Sequence, residues 1–98
     1  MRKPRRVRHT RAFERSYLKF PPETRLIIDA AVEAFAKRSR ENALQPGPKS
    51  GLEGIWTFRV DRDIRVFYTQ ERDAEGRISE LFHVGRHDEY RTITRRRR

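Results

Sequence analysis

Cysteine is absent from these 98 residues. Disulfides and thiolate metal sites are thereby excluded, and the chain suits a reducing compartment. No apolar run approaches the roughly 20 residues needed to span a bilayer. The basic start of the chain is not followed by an apolar segment, so it does not read as a secretory signal. A cytoplasmic location without a membrane partner is the expectation. Acidic residues are also scarce: 14 Asp and Glu face 24 Lys and Arg, a net charge of +10. Such an imbalance points to an acidic partner or simply to solubility. Because most of the excess is arginine, which pairs with phosphate in a fork and stacks on bases, nucleic acid is the leading partner. Apolar residues make up only 35%, which at this length implies one domain over residues 1–98 with a small core and basic, flexible ends.

After a basic arm through Arg6, the alternation around Val7 predicts a short strand ending at Thr10. Thr10 can cap a first helix whose buried stripe is Phe13, Tyr17 and Leu18. Pro21 or Pro22 then opens a second helix. Ile27, Ala31, Ala34 and Phe35 recur on one side of it, widened by Ile28 and Val32. Asp29, Glu33 and Lys37 line the wet side, with one favourable pair four residues apart. Positive charge from Lys37 to Arg40 suits the helix end and is equally available to a partner. Asn42 to Gly54, rich in Pro and Gly, reads as a loop pinned by Leu44 and Leu52. Its glycines match neither a phosphate-binding loop nor a dinucleotide fingerprint.

Two hairpins follow. An Asp61-Arg62-Asp63 turn sets Trp56 opposite Tyr68, Thr57 opposite Phe67, Phe58 opposite Val66 and Arg59 opposite Arg65. Side chains alternate along a strand, so Trp56, Phe58, Val60, Ile64, Val66 and Tyr68 share an apolar face. A register slip of one residue would scramble it. A second turn at Ala74-Glu75-Gly76 sets Tyr68 opposite Phe82, Phe67 opposite His83 and Arg65 opposite Gly85. Phe82 and Val84 then extend the core, His83 joins Arg59 and Arg65 on the other face, and Gly85 leaves room for a substrate. Arg86 to Ile93 turns away, with a short helix possible.

Facing arginines repel, so something must neutralise them. Asp61, Asp63, Glu80 or Asp88 can do so in an ordinary ion-pair network, or a scissile phosphate can. His87, at the same end as Arg65, Asp88 and Tyr90, can exchange a proton near neutral pH. Tyr90 can stack on a base, donate a proton or close the core. His9 is remote from the other two histidines, and no ligand cluster accompanies it, so no metal or other cofactor is expected.

The stretch from Gly51 to Tyr90 resembles the RelE/ParE toxin superfamily of bacterial toxin-antitoxin systems. Leu52-Glu53-Gly54 followed by Trp56 to Arg59 matches its loop and strand. Asp63-Ile64-Arg65-Val66-Phe67-Tyr68 matches a recurrent arginine-bearing strand, and His83-Val84-Gly85-Arg86-His87-Asp88-Glu89-Tyr90 its closing segment. The resemblance implies an α+β fold, with two N-terminal helices packed on a curved antiparallel β-sheet, and a cognate antitoxin as partner. Many members cleave messenger RNA at the ribosome without metal; another branch poisons DNA gyrase and cuts nothing. Arg65 matches the strand arginine that contacts the cleaved phosphate, His87 a catalytic position, Arg59 a basic strand-end residue and Tyr90 a terminal aromatic. The paired strand lysines of the best-known nucleases are replaced here by Ile55 and Thr57.

The expectation is therefore a ribosome-dependent endoribonuclease of a type II system, with His87, Arg65, Arg59, His83 and Tyr90 as its site. Lys37, Arg38, Arg40, Arg86, Arg91, Arg95 and Arg96 would bind RNA, unless the basic ends serve only solubility. The alternatives are a gyrase inhibitor and a non-catalytic RNA-binding protein.

Overall fold

Thr10 is where extended chain becomes helix. Its hydroxyl accepts the Phe13 N–H at 3.1 Å, satisfying one of the donors that an α-helix leaves unpaired at its start. In the computed structural model, which describes residues 3–89, strand β1 (Val7–His9) precedes this cap and helix α1 (Arg11–Leu18) follows it. Helix α2 (Pro22–Lys37) starts at the two prolines, Pro21 being the cap. A short α3 (Glu41–Leu44) and β2 (Gly47–Pro48) then lead to β3 (Trp56–Arg59), β4 (Ile64–Asp73), β5 (Gly76–Arg86) and a 3-10 turn, His87–Glu89. Residues 42–54 thus contain a helical turn and an edge strand where the sequence predicts only loop. Leu44 is buried and Leu52 packs on apolar neighbours, the two anchors predicted for this segment.

The sheet runs β1-β5-β4-β3-β2. All neighbours are antiparallel except β1, which lies parallel to β5, so the sheet is mixed rather than wholly antiparallel. Parallel strands need a long connection, and everything from α1 to β4 lies between these two. The β3–β4 register is the one the alternation predicts, from Trp56 opposite Tyr68 to Arg59 opposite Arg65. The Asp61 carboxylate makes the turn, accepting the N–H groups of Asp63 and Ile64 at 2.9 and 2.8 Å.

The second hairpin departs from expectation. Asp73 faces Gly76 across a two-residue turn, so Tyr68 lies opposite Leu81, not Phe82. Gly76 has the positive φ, 123°, that this turn requires. The register slips between Phe67 and Tyr68, and from there Phe67–His83 and Arg65–Gly85 pair as predicted. The residue assigned to the turn is instead spent in this bulge. Phe82 consequently leaves the main core and joins Ile55 and Phe67 in a small cluster on the opposite face.

The main core lies between the helices and the other sheet face. Phe13, Ile28, Ala31, Ala34 and Phe35 meet Phe58, Val60, Ile64, Val66, Tyr68, Leu81 and Val84 there. Phe35 is central, stacked on Phe58 with centroids 4.3 Å apart and tilted against Tyr68 at 4.9 Å. Tyr68 is buried so fully that its hydroxyl is pushed up to about 12. Two predicted core residues are outside: Leu18 is 62% exposed and Ile27 48% exposed. The stripe through Ile28, Ala31 and Ala34 has a spacing of three, which turns Ile27 outward at the start of the helix.

The described part of the basic arm is tied down. Arg5 donates to Phe35 O at 2.8 Å and to Glu41 at 3.0 Å, with its guanidinium 4.2 Å above the Phe35 ring. Arg6 grips Asp73 through two contacts of 2.8 and 2.6 Å, which holds that carboxyl down at about 2.

Helix α1 is fastened to β5 by a buried hydroxyl: Ser16 Oγ donates to Phe13 O at 2.8 Å and accepts the Val84 N–H at 3.0 Å. Ser16→Ala leaves that buried N–H without a partner and should cost about 1–3 kcal/mol in urea denaturation. A loss below about 0.5 kcal/mol, the scale of an ordinary surface substitution, would show the contact to be unimportant.

Candidate functional site

Alternation along β4 places Arg65 and Phe67 on the face away from the helices, and pairing brings His83 and Gly85 beside them. Arg59 stands across from Arg65 on β3. Predicted residues Arg59, Arg65 and His83 thus share one face, and the 3-10 turn carries His87 at its start. Tyr90, Arg91, Arg95 and Arg96 lie outside the described residues.

Like charges this close need compensation, and the protein supplies it with dipoles. Arg65 is half-buried and donates through Nη1 to the carbonyls of Asp61 at 2.9 Å and of Arg62 and Ile64 at 3.3 Å. Burial first, then the Arg59 guanidinium, lower its pKa, while Asp61 and Asp63 oppose them. The group stays charged throughout. Its Nε and Nη2 make no hydrogen bond among the described residues. Arg59 reaches the side-chain oxygen of Gln45, just past α3, at 3.3 Å. The carboxylates expected to neutralise this pair mostly do other work: Glu80 binds Arg8, and Asp63 pairs with Arg86.

Asp63 also organises His87. Its carbonyl accepts the His87 N–H at 2.8 Å, and its carboxylate lies 3.6 Å from His87 Nδ1. Nε2 is therefore the nitrogen turned away from the protein's own acid. The Asp61–Asp63 turn anchors both Arg65 and His87, one through carbonyls and the other through Asp63. That shared anchor joins residues 22 positions apart in the chain.

Glu89 fills the space that Gly85 was expected to leave for a substrate. Its Oε1 lies 2.9 Å from His83 Nε2, and its Oε2 accepts the Arg86 N–H at 2.9 Å. A Cβ built on Gly85 would come within 2.5 Å of the carboxylate and 2.7 Å of His83 Nε2. Glycine here admits a side chain of the protein itself. Burial alone would raise the Glu89 pKa, but the Arg86 N–H, His83 and Lys19 together lower it. His83 is only 15% exposed and its ring packs on Phe67 at 5.7 Å. Sequence reasoning missed Glu89 and Gln45; a carboxylate four residues beyond a buried strand glycine is the one available signal for the former.

The remaining predicted basic residues are placed elsewhere. Lys37 pairs with Glu33 at 2.7 Å, and Arg38 donates from Nε to Lys3 O at 2.8 Å. Arg40 precedes α3 with a positive φ of 56°. Arg86 borders the site, bound to Asp63. Among the described residues, no group of three or more histidines and carboxylates is set to hold a metal ion, and no helix is long and apolar enough to cross a membrane.

No family model and no curated protein matches the chain. Solved structures do. The toxin-antitoxin complex RelBE2 from Mycobacterium tuberculosis contains a chain 30% identical to this one, with a TM-score of 0.56 over 85% of this chain and 98% of that one. A YoeB/ParE toxin from Agrobacterium tumefaciens gives 0.59 at 18% identity, over 84% and 98%. The archaeal RelE-RelB complex from Pyrococcus horikoshii OT3 also gives 0.59, at 10% identity, over 87% and 97%. Two helices on a mixed sheet are the fold they share. The chain belongs to the RelE/ParE toxin superfamily.

Glu89 should leave a signature in stability against pH. Its folded pKa lies below the unfolded one, so the unfolded state binds more protons in acid. Its contribution is complete above the unfolded carboxyl value of about 4.3 and is lost as pH falls through the folded value. Glu89→Gln should therefore flatten the acid limb of the stability curve, measured by urea denaturation across pH. An unchanged slope would mean that the carboxylate does not hold His83 and Arg86 in solution.

Proposed function

We propose that this protein is the toxin of a type II toxin-antitoxin pair and cleaves messenger RNA on the ribosome without a metal ion. The observation that carries this reading is the common anchoring of Arg65 and His87 by the Asp61–Asp63 turn. It sets a fixed guanidinium and a proton-exchanging imidazole at one end of a basic sheet face.

RNA supplies its own nucleophile. The 2′-hydroxyl attacks the adjacent phosphorus and gives its proton to His87 Nε2 as the P–O5′ bond breaks. Arg65, through the Nε and Nη2 that make no hydrogen bond among the described residues, and Arg59 stabilise the oxygens on which charge builds. The leaving O5′ takes a proton from His83 or Tyr90. The products are a 2′,3′-cyclic phosphate and a free 5′-hydroxyl. Of the two candidate acids, His83 has Nε2 committed to Glu89, so it acts as an acid only with both ring nitrogens protonated, giving the proton from Nδ1.

The partner that restrains this activity is a separate antitoxin chain. Two of the similar structures are toxin complexes of that kind, RelBE2 and RelE-RelB. An acidic segment laid over Arg59 and Arg65 would complement their charge and exclude phosphate. Arg86 and the other basic residues would strengthen ribosome binding, making it strongly salt-dependent.

Incubating the protein with ribosomes and message, then mapping RNA ends, tests the reaction. Cuts phased with codons are expected, and His87→Ala should slow them by roughly 10²- to 10⁴-fold. Arg65→Lys should not restore what Arg65→Ala loses, because an ammonium lacks the planar fork. Full cleavage by folded His87→Ala protein removes that residue from the chemistry. Inhibition of DNA gyrase with no RNA cuts would assign the protein to the non-nuclease branch instead.

A further inference from the structure

The sheet face that the helices cover continues beyond them. Gln70 and Arg72 follow Tyr68 on that face of β4, and Arg77 and Ser79 precede Leu81 on β5. A groove of about 600 Å³ opens there, lined by Trp56, Tyr68, Gln70, Arg77 and Arg38 among others. A second, of about 450 Å³, shares Trp56, Gln70 and Arg77 and adds Glu71 and Arg72. The two form one trough with a half-buried indole in its wall.

Its charge is unbalanced. Arg72 and Arg77 stand opposite each other across the ladder, where like charges repel. Neither has a carboxylate partner among the described residues. The neighbouring Asp73 is committed to Arg6. On the far side, Lys3 and Arg38 add positive charge, with Arg38 held by its Nε on Lys3 O. The trough therefore combines a flat aromatic surface, the Gln70–Ser79 polar pair and an excess of cationic groups over the two carboxylates, Glu71 and Glu75, that also line it. An acidic peptide would satisfy only the cations; a nucleotide satisfies cations and indole together.

We propose that this trough is a second nucleic-acid site, which stacks one base of a single strand on Trp56 and holds the flanking phosphates with Arg72, Arg77 and Arg38. It lies on the opposite sheet face from Arg59, Arg65 and His83. It requires strand binding only, so it goes beyond the proposed cleavage reaction and does not depend on it.

Trp56 is the chain's only tryptophan, so its emission reports on this trough alone. The full-length His87→Ala protein is titrated with labelled oligouridylate of about eight nucleotides, within the span of one single-strand site. Anisotropy gives binding and tryptophan emission gives location. A length-matched abasic oligomer and polyglutamate serve as comparisons. Emission should be quenched by oligouridylate alone. Arg77→Ala, an exposed substitution, should weaken that binding about tenfold. Equal binding of the abasic oligomer, or of polyglutamate, would overturn the stacking site and favour a plain anion surface or an acidic protein segment. Emission unmoved at saturating oligouridylate would also overturn it, as would undiminished affinity in Arg77→Ala. None of these results touches the cleavage reading, which stands or falls on ribosome-dependent cuts by the protein with His87 intact.

Discussion

Alternation of side chains along β4 is the constraint from which the rest of this molecule follows. Ile64, Val66 and Tyr68 must reach the helices, which leaves Arg65 and Phe67 no choice but the other face. The same alternation on β3 commits Arg59 to that side, so the hydrophobic effect aims the cations. Phe35 seals the arrangement by stacking between α2 and the sheet, with Arg5 laid over its ring. A slip of one residue would bury two guanidinium groups, at a cost no core of this size could offset.

Having gathered positive charge, the fold manages it unevenly. Arg6, Arg8 and Arg86 are met by carboxylates. Arg65 is met by carbonyl dipoles instead, which orient it without cancelling its charge. A guanidinium held this way remains attractive to an incoming anion, whereas one paired with Asp or Glu must exchange partners first. Glu89 is the local exception, since it satisfies His83 and the Arg86 N–H from within the site. Any ligand that approaches Gly85 has to displace that carboxylate or bind around it.

The places where sequence reasoning failed share a physical cause. The β3–β4 register was legible because two apolar sets match at only one offset. Phe82 was misplaced because a bulge and a longer turn satisfy the same distant pairing, His83 with Phe67 and Gly85 with Arg65. Leu18 and Ile27 face outward although both are apolar, because hydrophobicity alone does not say how a helix is rotated. The α2–α3 corner was invisible for another reason: Arg38, Arg40 and Gln45 all adopt positive φ without a glycine to announce it.

Charge, the Thr10 cap, the two helices and the central strand pairing were written in the order of the residues, because each depends on neighbours in the chain or on a period of two or four. Whether a given cation is free, shared or neutralised was decided only when distant segments met. Asp63 reaching both Arg86 and His87, and Arg6 claiming Asp73, are contacts between parts of the chain whose approach no local pattern encodes.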